Sequence, residues 1–360
     1  MEKGEILILG GYGAVGSVIS KSLVKLFPFQ VIIAGRNYQK AKEFSSKLNH
    51  KTTPLELDIF SVSKNDDRLN NVKLVIMCID QTNTEFVSQC IRRGIHYIDI
   101  TANYNFLSKI ELLDKEAKKY NSSVILSVGL APGITNLLAK HCKSMVRGIQ
   151  YADIYIMLGL GEEHGEAAYR WAFEDLNDTF VIKEDGEKKE VRSFRDGKQS
   201  IFPNNIGKRT AYRSNFSDQH VIPKTLDIDS VSTRICFDSA VMTSLYAVMR
   251  KTGLSKLVKL RLVQNFLIKL LKLFKFGSDQ FILKVEAGIS RKQGLIYECS
   301  ISGNGQGNST GLVAAKVVEK LYTSSLPSGV FHLEQLFDPI KFFDSLDNNL
   351  KFEESILNKH

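Results

Sequence analysis

The stretch ILILGGYGAVG, residues 6–16, decides the fold. Its leading apolar run reads as a short strand buried on both faces, and AVGSVISKSLVKLF after it puts Val15, Ile19, Leu23 and Leu26 at helical spacing. Between them Gly11-x-Gly13-x-x-Gly16 has the dinucleotide-fingerprint spacing, a pattern that is weak alone and gains meaning from a strand before it and a helix after it. Gly11 permits a sharp exit from the strand, Gly13 lets the backbone approach a pyrophosphate, and Gly16 lets the helix pack closely on the sheet. The helix start then offers unpaired N–H groups and the positive end of its dipole. Gly11, Tyr12, Gly13, Ala14, Val15 and Gly16 are therefore the candidate pyrophosphate contacts.

Further β–α units follow. FQVIIAGR, TTPLELDI, VKLVIMCI, HYIDI and SSVILSVG read as strands; AKEFSSKL, TNTEFVSQCIRRG and NFLSKIELLDKEAKKYN read as helices between them. This alternation predicts an α/β, Rossmann-type doubly wound parallel sheet over residues 1–150. A second α+β domain built on a mostly antiparallel sheet is expected over 151–310: much of 180–240 reads as half-exposed antiparallel strands, and FILKVEAGIS and GLIYECSISG as a hairpin around RKQG. A C-terminal helix and tail over 309–360, with Ser309 or Thr310 as helix cap, is a candidate to return to the Rossmann domain.

Composition fits a globular protein with an anionic ligand. Of the 360 residues 43% are apolar, enough for a sizeable core, and Lys and Arg exceed Asp and Glu by 48 to 39. Cys78, Cys90, Cys142, Cys236 and Cys299 are scattered, so neither a disulfide framework nor a metal site is expected. The N-terminus lacks the apolar region of a signal peptide and no uncharged apolar run is long enough to span a bilayer, so the expectation is cytoplasmic. The cations follow no basic-and-aromatic motif, which argues against nucleic acid as a partner.

The end of the second strand selects the cofactor. An NAD site carries an acid there for the ribose 2′-hydroxyl; here Arg36 and Asn37 stand in IIAGRN, and an arginine fork suits a 2′-phosphate. NADP is expected, with NAD as the alternative. Asp58 either sits by the adenine or caps its own turn, and Ile79 and Thr82, where the fourth strand ends, complete the cofactor set.

ILGGYGAVG, IIAGRN, LELDI, GIHYIDIT and above all SVGLAPGITNLLAKH resemble the saccharopine dehydrogenase and reductase family, which includes carboxynorspermidine dehydrogenases. The likeness is good from about Glu5 to Asp153 and looser beyond. It implies an NAD(P)-dependent oxidoreductase that forms or cleaves a secondary amine through an imine, with a second domain that contributes to a homodimer. Relatives of the saccharopine reductase type have Gly-Leu-Asp-Pro-Gly where this chain has Ala131, so the carboxylate that would meet an amino-acid substrate is missing. Two alternatives stay open: an enoyl reductase acting in trans on lipid-linked substrates, and a dinucleotide-binding protein without catalysis.

Proton transfer needs an acid or base at a strand end, and Asp99 and Thr101 in HYIDIT are the catalytic candidates, Thr101 matching a hydroxyl residue near the cofactor in the family. His164 and Trp171 read more simply as structural residues, as do Asn136 and His141. The segment KLVKLRLVQNFLIKLLKLFKFG, beginning at residue 256, has six cations and no acid. As one helix over 256–276 it sets Arg261, Gln264, Asn265, Lys269, Lys272 and Lys275 opposite Leu260, Val263, Phe266, Leu267, Leu270, Leu271 and Phe274. That pattern fits a surface helix over a core, a dimer contact, or peripheral contact with a membrane.

Overall fold

Six short strands, most of them followed by an amphipathic helix, leave one economical arrangement: a parallel sheet with helices on its faces. The computed structural model, which describes residues 4–63, 66–162, 166–273, 277–291, 294–324, 326–346 and 350–359, has it. Its contacts divide the chain into two compact units, Met1–Gly133 with Gly307–Phe337, and Ile134–Gln306 with Asp338–His360.

In the first unit β1 (Glu5–Leu9), β2 (Val31–Gly35), β3 (Thr52–Glu56), β4 (Val72–Met77), β5 (His96–Asp99) and β6 (Ser123–Leu126) alternate with α1 (Ala14–Leu26), α2 (Tyr38–Lys47), α3 (Glu85–Arg92), α4 (Tyr104–Glu111) and α5 (Asp114–Lys119). A seventh strand, β15 (Gly329–His332), pairs in parallel with β6, Gly329 opposite Ser123. The sheet order is β15-β6-β5-β4-β1-β2-β3, wholly parallel, and it reverses direction at β1 and β4, where open α/β sheets bind ligands. Ile6, Leu7, Ile8 and Leu9 are fully buried, as a strand covered on both faces must be. α11 (Gln306–Thr323) packs closely on α1: a side chain at Gly311 would sit 2.7 Å from Val18 Cβ.

The second unit contains α6 (Thr135–Met145), β7 (Tyr151–Leu158), α7 (Glu166–Asp175), β8 (Thr179–Glu184), β9 (Glu187–Arg192), β10 (Lys198–Phe202), β11 (Gly207–Arg213), α8 (Asp218–Thr225), β12 (Ser230–Phe237), α9 (Ala240–Thr252), α10 (Arg261–Leu273), β13 (Gln280–Gly288), β14 (Gly294–Asn304) and β16 (Lys351–Lys359). The short helices α12 (Leu333–Leu336) and α13 (Pro339–Asp344) fall in the first and second units respectively. The large sheet runs β10-β11-β12-β7-β13-β14-β16, antiparallel except between β12 and β7. The expected hairpin is β13–β14, Gln280 opposite Asn304.

Four expectations from the sequence need correction. The helix read from NFLSKIELLDKEAKKYN is two, because Asp114 opens a new turn where its carboxylate accepts the Val330 N–H of β15 at 3.0 Å. The half-exposed antiparallel strands read over much of 180–240 are present as β8, β10 and β11, but β12 departs from that reading. α8 interrupts them, and β12 is buried throughout and runs parallel to β7, its alternating polar residues satisfied internally: Ser232 donates to Asp153 at 2.7 Å and Thr233 to Asp218 at 2.5 Å. Ser309 and Thr310 lie inside α11, whose first N–H, on Gln306, is capped instead by the Glu162 carboxylate. Finally, 256–276 is not one helix: a 3₁₀ turn over Leu254–Lys259 ends at extended Leu260 (φ −73°, ψ 122°), and α10 starts after it.

A buried charge cluster anchors the second unit. Asp153 on β7, 1% exposed, meets Lys198 Nζ at 2.6 Å, Arg291 Nε at 3.1 Å and Arg234 Nη1 at 3.8 Å. Burial pushes its carboxyl up, but Lys198, Arg291 and Arg234 override that and hold it well below the usual carboxylate range.

Candidate functional site

The loop between β1 and α1 has the geometry its glycines suggest. Gly10 has φ +78°, in the region that favours glycine, and a side chain there would sit 2.7 Å from Ile79 Cγ2. A side chain at Gly16 would overlap the Gly10 carbonyl. Gly13 occupies the N-cap of α1 without a side-chain cap, and among the described residues no acceptor takes the N–H groups of Ala14, Val15 and Gly16. Three free donors at a helix start beside a backbone no side chain obstructs fit a dinucleotide pyrophosphate. Gly11, Tyr12, Gly13, Ala14, Val15 and Gly16 thus share one turn, with Ile79 beside it from the end of β4.

At the end of β2, the Tyr12 ring lies against Gly35, where a β-carbon would strike its hydroxyl. Sequence reasoning missed Gly35; the signal was the glycine immediately before Arg36. Arg36 is exposed and pairs with no carboxylate among the described residues. The Asn37 side chain caps α2 by accepting the Lys40 N–H at 2.9 Å, and Asp58 accepts the Phe60 N–H at 3.1 Å, so each has a local structural role. Thr82, like Asp80, is exposed beyond β4.

Asp99 terminates β5 and is 1% exposed. Its Oδ2 accepts from Tyr97 Oη at 2.7 Å and Gln81 Nε2 at 3.0 Å, and its Oδ1 from the Thr101 N–H at 2.9 Å. Burial pushes the carboxyl up to about 6 even though these three donors favour the charged form, and neighbouring Asp80 adds to the rise. Burial and Asp99 together push the Tyr97 phenol well above its ordinary value, so it stays a donor. Thr101 Oγ1 accepts the Asn103 N–H at 3.3 Å, just before α4. Asp99 and Thr101 are therefore joined through the Thr101 backbone, while Tyr97 and Gln81 complete a network whose spacing carries no motif.

At the neighbouring strand ends Ser127 and His332 meet, Oγ to Nδ1 at 2.8 Å, with Glu111 at 3.2 Å from the other ring nitrogen. Ser127 is fully buried, so this cluster ties β6 to β15. The chain then turns through Ala131, Pro132 and Gly133; Gly133 has φ +132°, and a side chain on it would sit 2.9 Å from the Ser127 carbonyl.

In the second unit Asn136 is fully buried, and buried His141 lies 2.7 Å from Glu354 Oε2 and 3.0 Å from Tyr297 Oη, a packed polar cluster. A cavity of about 270 Å³ in the same unit is lined by Phe202, Lys284, Glu298 and Glu353 among others. His164 and the Trp171 side chain lie outside the described residues. Among the described residues no cluster of His, Cys, Asp and Glu has the makings of a metal site, and no helix is long and apolar enough to cross a membrane.

A parallel sheet in this order with an unobstructed glycine turn at its switch point defines a Rossmann-type dinucleotide-binding unit. Residues 6–125 match the family described as saccharopine dehydrogenase NADP binding domain. The match lies within the first unit, which is thus similar to the dinucleotide-binding domain of that family, and it supports an oxidoreductase dependent on a nicotinamide dinucleotide. The fold of the whole chain is similar to that of saccharopine dehydrogenase (L-Glu forming) from Saccharomyces cerevisiae, with a TM-score of 0.68 at 14% identity over 98% of this chain and 100% of that one. A probable dehydrogenase from Thermotoga maritima is more distant, with a TM-score of 0.42 at 9% identity over 91% of each chain. No curated protein matches the sequence.

Proposed function

We propose that this oxidoreductase prefers NADP and acts on a carbon–nitrogen bond, interconverting an imine and a secondary amine. The reading of the cofactor rests on Arg36, an exposed guanidinium without a carboxylate partner among the described residues, placed at the end of β2 where NAD enzymes carry an acid. The N–H groups of Ala14, Val15 and Gly16 hold the pyrophosphate, and the Tyr12 ring on Gly35 shapes the wall beside it. A nicotinamide bound there supplies or accepts a hydride. The chain's own contribution to the proton that accompanies it is Asp99, whose carboxyl changes charge near pH 6. Tyr97, Gln81 and the Thr101 N–H keep that carboxyl in one orientation.

The substrate reading rests on the likeness of residues 6–125 to that family together with Ala131, which has no carboxylate for a substrate ammonium. Saccharopine is accordingly expected to give negligible turnover with either cofactor, and saturable NADP reduction by saccharopine would refute this. Fluorescence titration of Arg36→Ala tests the cofactor: loss of a charge-assisted contact costs about 1.5–3 kcal/mol, so NADPH affinity falls roughly 10- to 150-fold while NADH affinity stays put. Equal losses for both cofactors would remove the basis for NADP preference.

A further inference from the structure

Between Asp238 and Asp279 the second unit has forty residues containing eight cations and no acid. Its three successive helices do not bury their apolar residues as the helical wheel of 256–276 suggests. On α9, Val241, Leu245 and Val248 are spaced i, i+4, i+7 and are 77%, 48% and 53% exposed. In the 3₁₀ turn that contacts α9, Leu254 and Leu257, with Leu260 just after it, repeat every three residues, the period at which 3₁₀ side chains eclipse, and all three are more than half exposed.

On α10 Arg261, Asn265 and Lys269 are exposed as expected, but the expected polarity fails at Gln264 and Phe266. Gln264, read as part of the solvent face, is buried, with its Oε1 3.0 Å from Arg170 Nη1, while Leu262 and Phe266 point outward at 84% and 65% exposed. Ile268 and Val258 fill the core beneath, against Phe173. The helices are therefore already packed on their own unit, and what they present outward is a second apolar surface. Lys251, Lys256, Arg261 and Lys269 stand exposed among these residues and form no ion pair among the described ones.

Exposed apolar stripes rimmed by cations, with no acid in the whole segment, match an anionic lipid surface: apolar side chains enter the acyl boundary while lysines and arginines meet the headgroups. A second copy is a poor occupant, because a twofold contact sets this patch against itself and brings Lys251, Lys256, Arg261 and Lys269 to face their own counterparts with no acid between them. We infer that α9, the 3₁₀ turn and α10 form a peripheral docking face for anionic membrane lipid.

The test is flotation of the full chain with vesicles of phosphatidylcholine alone and of equimolar phosphatidylcholine and phosphatidylserine. Wild type is expected to float only with phosphatidylserine and to be released by added salt, since exposed charges are screened within about 8 Å at physiological ionic strength. Each cation removed lowers partitioning about fivefold, so Lys251→Ala/Lys256→Ala reduces it roughly 25-fold. Leu262→Glu/Phe266→Glu abolishes it, with an unchanged thermal melt showing that the fold survives. The inference is overturned if wild type ignores acidic vesicles at low salt, if it binds neutral vesicles equally, or if Leu262→Glu/Phe266→Glu still floats. It is also overturned if sedimentation shows a dimer that this double variant splits, which would assign the patch to a second copy.

Discussion

Asp99 in the first unit and Asp153 in the second are both 1% exposed, yet they are displaced from ordinary carboxylate behaviour in opposite directions. Asp99 is surrounded by neutral donors, Tyr97, Gln81 and a backbone N–H, which offset only part of the cost of burying charge. Asp153 has three cations within 4 Å, and they more than offset it. Burial alone thus fixes neither protonation state nor role; the charge of the partners does. The carboxyl at the strand ends of the dinucleotide-binding unit is left able to gain or lose a proton near neutrality, while the one in the second unit is locked as an anion that holds strands and loops together.

The contrast is tested most severely at Asp153. Asp153→Ala leaves Lys198, Arg234 and Arg291 without their shared anion and is expected to cost about 3–5 kcal/mol in denaturant unfolding. A loss under about 1 kcal/mol would mean that solvent replaces the carboxylate and the cluster is not a lock. Because the Asp153 carboxyl is depressed in the folded state, its stabilisation is complete above the ordinary carboxylate range and disappears on acidification below it.

At Asp99 the sign reverses. A carboxyl raised from 3.8 to about 6 favours the folded state in its protonated form, so wild type loses stability as pH rises from 3.8 through about 6. Asp99→Asn cannot ionise, and its stability relative to wild type should improve by about 3 kcal/mol across that window. Parallel unfolding curves in acid and at neutrality would show it; a pH-independent difference would place the folded carboxyl at its ordinary value. The smallest effect belongs to Lys198→Met, which removes the most exposed of the three cations around Asp153, 32% accessible, and should cost only about 1 kcal/mol, with Arg234 and Arg291 still in place.

What was legible in the sequence followed from local periodicity. ILILGG followed by Ala14–Leu26 announces strand, turn and helix because each step is dictated by neighbouring residues, and the unpaired N–H groups of Ala14 to Gly16 follow from the same spacing. Arg36 was visible for the same reason. What escaped is set by partners far along the chain. α10 is turned so that Gln264 faces inward because Arg170, 94 residues earlier, receives it. β12 looks half-exposed because Ser232, Thr233 and Arg234 are polar, and is buried because Asp153, Asp218 and Asp196 meet them. Tyr97 and Gln81 carry no motif; only the fold brings them onto Asp99.

β15 is the one strand of the parallel sheet that comes from beyond residue 300, and this bears on how the sheet is made. While the chain is being synthesised, β6 has its neighbour β5 but must wait about 200 residues for β15, roughly 10–40 s at common elongation rates. Through that interval its outer edge offers unpaired N–H and C=O groups to any extended chain nearby, including another nascent copy. A fragment ending at Gly133 would keep that edge permanently open. The dinucleotide-binding unit is continuous in space but interrupted in sequence, so its sheet is complete only once synthesis has passed His332.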